Sequence, residues 1–256
     1  METKITQVME EIENVIMLDA DNFSEQWENF LEEPDTCISP HDQTLSMVLP
    51  IPDHNETLLI YQNHSYHYTK QTLSTVKNHV QEERFLDYDC LSRALKRFDY
   101  FGKRLFPIIS STSCLFPFGG PIQHAAWINP IEIEEIETTD TCTQINMRGG
   151  LVYCTQTRKR TIEDHAVNAL AILAAYRYDR LHKEQAGFIP LDYLSLPNTP
   201  FIRSLCQNPL LQEFLLPLGA LERHYDSERF MKNVTNVSKV IKSGVLSYDT
   251  FSKLLK

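Results

Sequence analysis

The sequence predicts an α+β protein: a mostly antiparallel sheet with packed helices and a helical C-terminal extension. Three observations predict it. The stretch from Leu105 to Glu137 is rich in β-branched and aromatic residues, punctuated by Pro107, Pro117, Gly119-Gly120, Pro121 and Pro130. A hairpin follows, in which Gln144–Met147 and Leu151–Cys154 flank Arg148-Gly149-Gly150; the glycines supply the positive φ of a tight turn. Third, the segment from Thr161 to Arg180 is strongly helical. Ile162, Ala166, Ala169, Leu170, Leu173 and Tyr176 form its apolar stripe, and Thr161-Ile162-Glu163-Asp164 resembles a capping box.

The remaining elements read as follows. Ile5, Val8, Met9, Ile12, Val15 and Ile16 recur at helical spacing, and so do Phe23, Trp27, Phe30 and Leu31. Residues 1–44 are therefore expected to be an acidic helical extension ending in a linker over 34–44. Residues 45–186 form the expected core domain. Leu45–Ile51 and Leu58–Tyr68 read as two strands about the turn Pro52-Asp53-His54-Asn55, and helices are expected from Gln71 to Arg84 and from Tyr88 to Arg97. Ile131-Glu132-Ile133-Glu134 alternates like a half-exposed strand, and the doubled Glu134-Glu135 suggests a bulge or the strand's end. Residues 187–256 read as a helical, proline-punctuated extension; Val234, Val237, Val240 and Ile241 make a stripe, Gly244 a C-cap and Ser247 a further cap.

The 256 residues carry a net charge of −10, which on its face opposes nucleic-acid binding. The distribution matters more. Residues 1–54 hold 13 acidic side chains and one basic one, Lys4, leaving the remainder at +2. No stretch approaches the roughly 18–20 apolar residues of a membrane span, and the acidic N-terminus lacks the basic start and apolar run of a secretory signal. Cys37, Cys90, Cys114, Cys142, Cys154 and Cys206 contain no C-x-x-C pair and read as reduced thiols of a cytoplasmic protein. There is no P-loop, dinucleotide fingerprint or nucleophile elbow. His64 and His67 lie three apart in a predicted strand, hence on opposite faces, and the cysteines are scattered. Neither a metal site nor a cofactor is expected. Cys114 and His124 lack a third orienting group, so no catalytic residue is assigned.

Two basic clusters remain. Arg93, Lys96, Arg97, Lys103 and Arg104 fall within twelve residues, interleaved with Phe98, Tyr100 and Phe101; the first three share one helix face. Such a face can neutralise phosphates and release counterions, or be a solvated helix surface. Arg158-Lys159-Arg160 precede the helix at Thr161, whose N-terminal amides could hold a phosphate; a loop kept soluble by charge is the competing reading. Arg148 sits at the hairpin tip, where a β-ribbon can enter a groove or an exposed turn can simply carry an arginine. Trp127, among Ala125, Ala126 and Ile128, is expected to anchor the core. The acidic arm either packs on the body, binds a partner such as RNA polymerase, or covers the basic surface. Intramolecular packing with a regulatory effect is the preferred reading.

Two pieces of sequence resemble the ComK-type family of bacterial competence transcription factors. The first is Ile109-Ser110-Ser111-Thr112-Ser113-Cys114-Leu115-Phe116-Pro117-Phe118, followed by His124-Ala125-Ala126-Trp127-Ile128-Asn129 and the strand Ile131–Glu137. The second is the glycine-turn hairpin with the helix Thr161–Arg180. The resemblance covers roughly residues 56–182. It implies an activator that binds double-stranded, A/T-rich promoter DNA as a homo-oligomer, largely through the minor groove, with no covalent chemistry and no membrane. Phosphate contacts would fall to Lys96, Lys103, Arg158 and Lys159, with Arg160 beside them, and groove reading to Arg93, Arg97, Arg104 and Arg148. RNA polymerase and a degradation adaptor are the implied protein partners. The nearest counterparts of the family's adaptor segment are Phe188-Ile189-Pro190 and Tyr193–Pro197. A protein-binding regulator that keeps this fold without binding DNA is the alternative, favoured by the charge of −10.

Overall fold

Apolar runs too short for helices and too continuous for surface strands become the centre of the molecule. The computed structural model describes residues 16–32, 44–61, 65–68, 70–78, 85–101, 105–181 and 187–242. Strands β2 (Leu45–Pro50), β3 (Thr57–Tyr61), β6 (Cys114–Phe118) and β7 (Ala126–Ile128) are buried almost throughout. With β4 (Ser65–Tyr68) and β5 (Ile108–Ile109) they form a six-stranded antiparallel sheet of order β4-β3-β2-β7-β6-β5. A second, four-stranded sheet has the order β1-β10-β9-β8, from β1 (Met17–Asp19), β8 (Ile133–Thr138), β9 (Thr143–Met147) and β10 (Val152–Thr155). Its three later strands are antiparallel, and β1 joins β10 in parallel. The α+β class expected from the sequence is the observed one.

The helices are α1 (Glu25–Glu32), α2 (Thr72–Asn78), α3 (Tyr88–Leu95), α4 (Lys159–Leu181), α5 (Pro200–Leu205), α6 (Pro209–Gln212) and α7 (Ala220–Lys242). All six residues of the predicted α4 stripe are buried. That stripe lies against β6 and β5. Arg177 fastens the helix further: Nε donates to the Ser111 carbonyl at 2.8 Å, Nη2 to Thr112 at 2.9 Å and Nη1 to Tyr193 at 2.9 Å. Burial pulls this guanidinium below its usual range, but three carbonyl acceptors satisfy it. α5 and α6 each start on a proline behind a side-chain cap, Thr199 and Asn208, and so satisfy amides that a short helix leaves open.

Several local expectations are corrected. The span Leu58–Tyr68 is not one strand: β3 and β4 pair antiparallel, with Ile60 opposite Ser65, so the chain reverses between them. Glu132 does not belong to a strand. Asn129 Oδ1 accepts from the Ile131 amide at 3.1 Å, and Pro130 fixes the next φ, so Pro130–Glu132 is a 3-10 turn and β8 begins at Ile133. Asn129 also donates to the carbonyls of Leu45 and Ser46, pinning the point where the chain crosses between sheets. The doubled glutamates do mark a bulge, where the register shifts between Ile133 and Glu135. In the hairpin turn Gly150 takes φ +84° while Gly149 does not enter the positive region. The helix expected to run to Arg97 ends at Leu95, and the one expected over Gln71–Arg84 is described over Thr72–Asn78, with the rest of its span outside the described residues.

The acidic arm differs most from its expected form. Residues 17–19 are a strand, not the end of a helix, and Ala20 N extends the pairing to the Cys154 carbonyl. Leu18 and Trp27 are fully buried, and the Trp27 indole donates to the Asp19 carbonyl at 2.9 Å. Buried residues from all three predicted segments belong to one core: Leu18 and Trp27, the central strands, and Phe201, Leu211 and Tyr225. The helical readings over residues 1–15, together with Gly244 and Ser247, lie outside the described residues.

Candidate nucleic-acid interface

α3 begins behind Asp87, whose carboxylate accepts from the Cys90 amide at 2.9 Å. Its apolar side, Tyr88, Cys90, Leu91, Ala94 and Leu95, is buried, and Tyr88 meets Trp127 edge-on at 5.6 Å. The opposite side presents Arg93 and, one turn on, Arg97. The helix closes at Lys96, so the expected continuous cationic face ends in a turn.

Those two arginines are not free. The long C-terminal helix α7 crosses α3, and its Glu228 takes both: Arg93 Nε donates to Oε2 at 2.9 Å and Arg97 Nη2 to Oε1 at 2.5 Å. Arg97, with Arg93 beside it, holds the Glu228 carboxyl below the usual carboxylate range. One turn further along α7, Lys232 reaches Asp87 at 2.5 Å. Burial pushes the Asp87 carboxyl up, but Lys232 and the Cys90 amide outweigh it and leave Asp87 below its ordinary value. Tyr225 and His224 complete the junction. The Tyr225 hydroxyl accepts from the Asp87 amide at 3.1 Å, and the His224 ring stands edge-on to Phe98 at 5.1 Å. Arg93 and Arg97 thus stay exposed but share a carboxylate more than a hundred residues away, which offsets one of their two charges. Lys96 is exposed and forms no ion pair among the described residues.

Arg148 is exposed at the turn between β9 and β10, leaning toward the buried Glu132 with Nη1 to Oε1 at 3.9 Å. Its amide donates to the Glu132 carbonyl at 2.9 Å, which seats the turn on the crossover between sheets. Arg158, Lys159 and Arg160 lie beyond the other end of β10, a strand of four residues whose termini are roughly 10 Å apart at 3.3 Å per residue. The hairpin tip and this triplet therefore occupy opposite ends of one strand.

The triplet was expected in a loop ahead of a helix capped by Thr161. Instead α4 starts at Lys159, and the Arg158 carbonyl accepts from Thr161 N at 2.9 Å and Ile162 N at 3.2 Å. Lys159 and Arg160 thus occupy the first turn, with no acidic residue in that turn. Cations there face the positive end of the helix dipole, which disfavours them by about 0.3–1 kcal/mol each when exposed. Lys159 Nζ donates to the Ile136 carbonyl at 2.8 Å; Arg158 and Arg160 are exposed, with no carboxylate partner among the described residues. Lys103 and Arg104 lie outside the described residues.

The structure separates the described candidate cations into three places: the α3–α7 junction, the hairpin tip and the start of α4. Sequence reasoning missed Glu228, Asp87, Lys232 and Asp179. The last is a buried carboxylate of α4 that accepts from Gly219 N at 2.5 Å and Glu222 N at 2.9 Å, capping α7 from another element. Burial raises its pKa although these amides oppose the shift.

Among the described residues no three His, Cys, Asp or Glu side chains converge as metal ligands. Cys90, Cys114, Cys142, Cys154 and Cys206 are unbridged, and burial pushes the Cys114 thiol up to about 12, far from a thiolate nucleophile. His64 lies outside the described residues. A cleft of about 370 Å³ opens between the sheets beside Asp21, Gly119, His124, Tyr153 and Thr157, and no lysine or arginine lines it among the described residues. No described helix is long and apolar enough to cross a membrane. Comparison of the chain with protein-family models, with curated proteins and with solved structures returns no match.

Proposed function

We propose that this protein is a cytoplasmic DNA-binding regulator that activates competence-type genes by binding A/T-rich promoter DNA as a homo-oligomer. The single observation that carries the reading is the unpaired cationic start of α4. Arg158 and Arg160 are exposed without an anionic partner among the described residues, at a helix end whose dipole disfavours cations. A stability rationale for that placement is absent, whereas a phosphate there is attracted by amides, dipole and guanidinium groups together. The segments that resemble the ComK-type family support the same reading: Phe116, Trp127, Ile133, Tyr153 and Ile162 belong to one core, so they form a single folded unit. Lys96 and Arg148 would add contacts on other faces of the molecule, which an oligomer or bent DNA could reach.

The test is a salt series. Arg158→Ala/Arg160→Ala should bind an A/T-rich duplex more weakly and shrink the slope of log affinity against log salt by about 1 for each lost phosphate contact. The melting temperature should stay level or rise slightly, since two cations leave a positive helix end. An unchanged slope would make these residues ordinary solvated surface.

A second reading is a protein-binding regulator of the same fold. One observation favours it: Phe230, Met231 and Val234 are exposed on α7, between 47% and 66% of their full area. The net charge of −10 points the same way. Failure of the unmodified protein to bind any duplex at low salt selects this reading.

A further inference from the structure

A single carboxylate that bridges two guanidinium groups stands where a phosphate would stand. Glu228 does this for Arg93 and Arg97, two of the cations expected to meet DNA. We infer that Glu228 is an internal phosphate mimic: α7 keeps part of the DNA-contacting face closed until DNA displaces it. The inference rests on the DNA-binding reading.

The construction of α7 suits such a role. Its first turns are anchored: Asp179 caps it, and Ala220, Leu221 and Tyr225 are buried. From Arg229 to Lys239 the side chains are exposed or half-buried, and Lys232–Asp87 is the one ion pair from this stretch to another element among the described residues. Glu228 lies at the boundary, so its half of the helix can shift without opening the core. The pairs are also exposed on the arginine side, 47% for Arg93 and 48% for Arg97 against 13% for Glu228. Exposed pairs of this kind are weak and salt-screened, and a polyphosphate competes well for them.

Charge around the junction gives the contact its consequence. Beyond Glu228, α7 carries Arg229, Lys232, Lys239 and Lys242 and no acid. Other nearby acids have other partners or none: Asp226 pairs with Arg229, Asp87 with Lys232 and Asp89 with Lys77, while Asp99, exposed two residues past Arg97, forms no ion pair among the described residues. Once Glu228 is displaced, Arg93 and Arg97 join the exposed Lys96 as cations open to phosphate.

Glu228→Gln in the full chain tests this by fluorescence anisotropy with an A/T-rich duplex across a salt series. The variant should bind up to roughly fivefold more tightly, the worth of one exposed ion pair, and its salt slope should steepen by about 1–2 as the arginines turn to phosphates. Adding Arg93→Ala and Arg97→Ala should cancel the gain. Asp226→Asn, which removes a charge from the same helix without touching either arginine, should leave the slope unaltered. Glu228→Asp retains the charge but is too short to span both guanidiniums; it should give a smaller gain, and it serves if the glutamine variant melts early. If parent and folded variants bind alike, with equal slopes, Glu228 is a structural ion pair and the inference falls while DNA binding stands. If parent and variants all fail to bind at every salt concentration, the DNA-binding reading itself has failed.

Discussion

Trp127→Ala is expected to destabilise the protein by about 3–5 kcal/mol, the usual cost of emptying a tryptophan site in a core. Trp127 is fully buried at the centre of the six-stranded sheet, opposite Val48 on one side and Pro117 on the other, with Tyr88 against its edge. Its Nε1 has no hydrogen-bond partner among the described residues. A buried donor left unpaired costs about 1–3 kcal/mol. Trp127→Phe, which retains a ring and removes the donor, should therefore cost much less than the alanine change. Thermal or denaturant melts of the two variants check this. An alanine variant that melts like the parent yet fails to bind DNA would move Trp127 from the core to the recognition surface.

Deleting residues 1–32 should abolish cooperative folding or come close to it. The deletion removes β1 and α1, and with them Leu18 and Trp27, both fully buried. Emptying a leucine site costs about 2–5 kcal/mol and a tryptophan site about 3–5 kcal/mol. Together these rival the total stability of an ordinary domain, about 5–15 kcal/mol. The deletion also bares the outer edge of β10, which now pairs with Met17–Asp19. The charge of the arm is separable from this role, because Glu25 and Glu28 are exposed. Changing both to Gln should leave the melting temperature within a few degrees of the parent. A truncated chain that melts as the parent does would show β1 and α1 to be appendages.

The parts of the fold legible in the sequence are those specified by neighbours. The hairpin needed only two alternating runs and a glycine turn, α4 only its 3.6-residue stripe, and β2 only a short apolar run. What escaped was specified at a distance. Ile16 continues the helical spacing of the preceding residues, so the strand at Met17–Asp19 is invisible until β10, more than 130 residues later, offers its edge. In Leu58–Tyr68 a continuous run of strand-forming residues concealed two strands that pair antiparallel. Thr161 fits a capping box, but the carbonyl of Arg158 opens the helix two residues earlier.

The candidate interface shows the same division. Runs of arginine and lysine are local and were found, while their counter-charges are not. Nothing near Arg93 and Arg97 announces Glu228, and nothing near Gly219 and Glu222 announces Asp179. The unpaired state of Arg158 and Arg160 is likewise a property of the folded surface, invisible in the sequence.

The most direct measurement of the central claim is binding of the 256-residue chain to an A/T-rich and a G/C-rich duplex of equal length, across a salt series. The account predicts tighter binding to the A/T-rich duplex. It also predicts that log affinity falls linearly with log salt, by about 0.9 for every phosphate neutralised. Absence of binding to either duplex at low salt, from a protein that melts cooperatively, would contradict it.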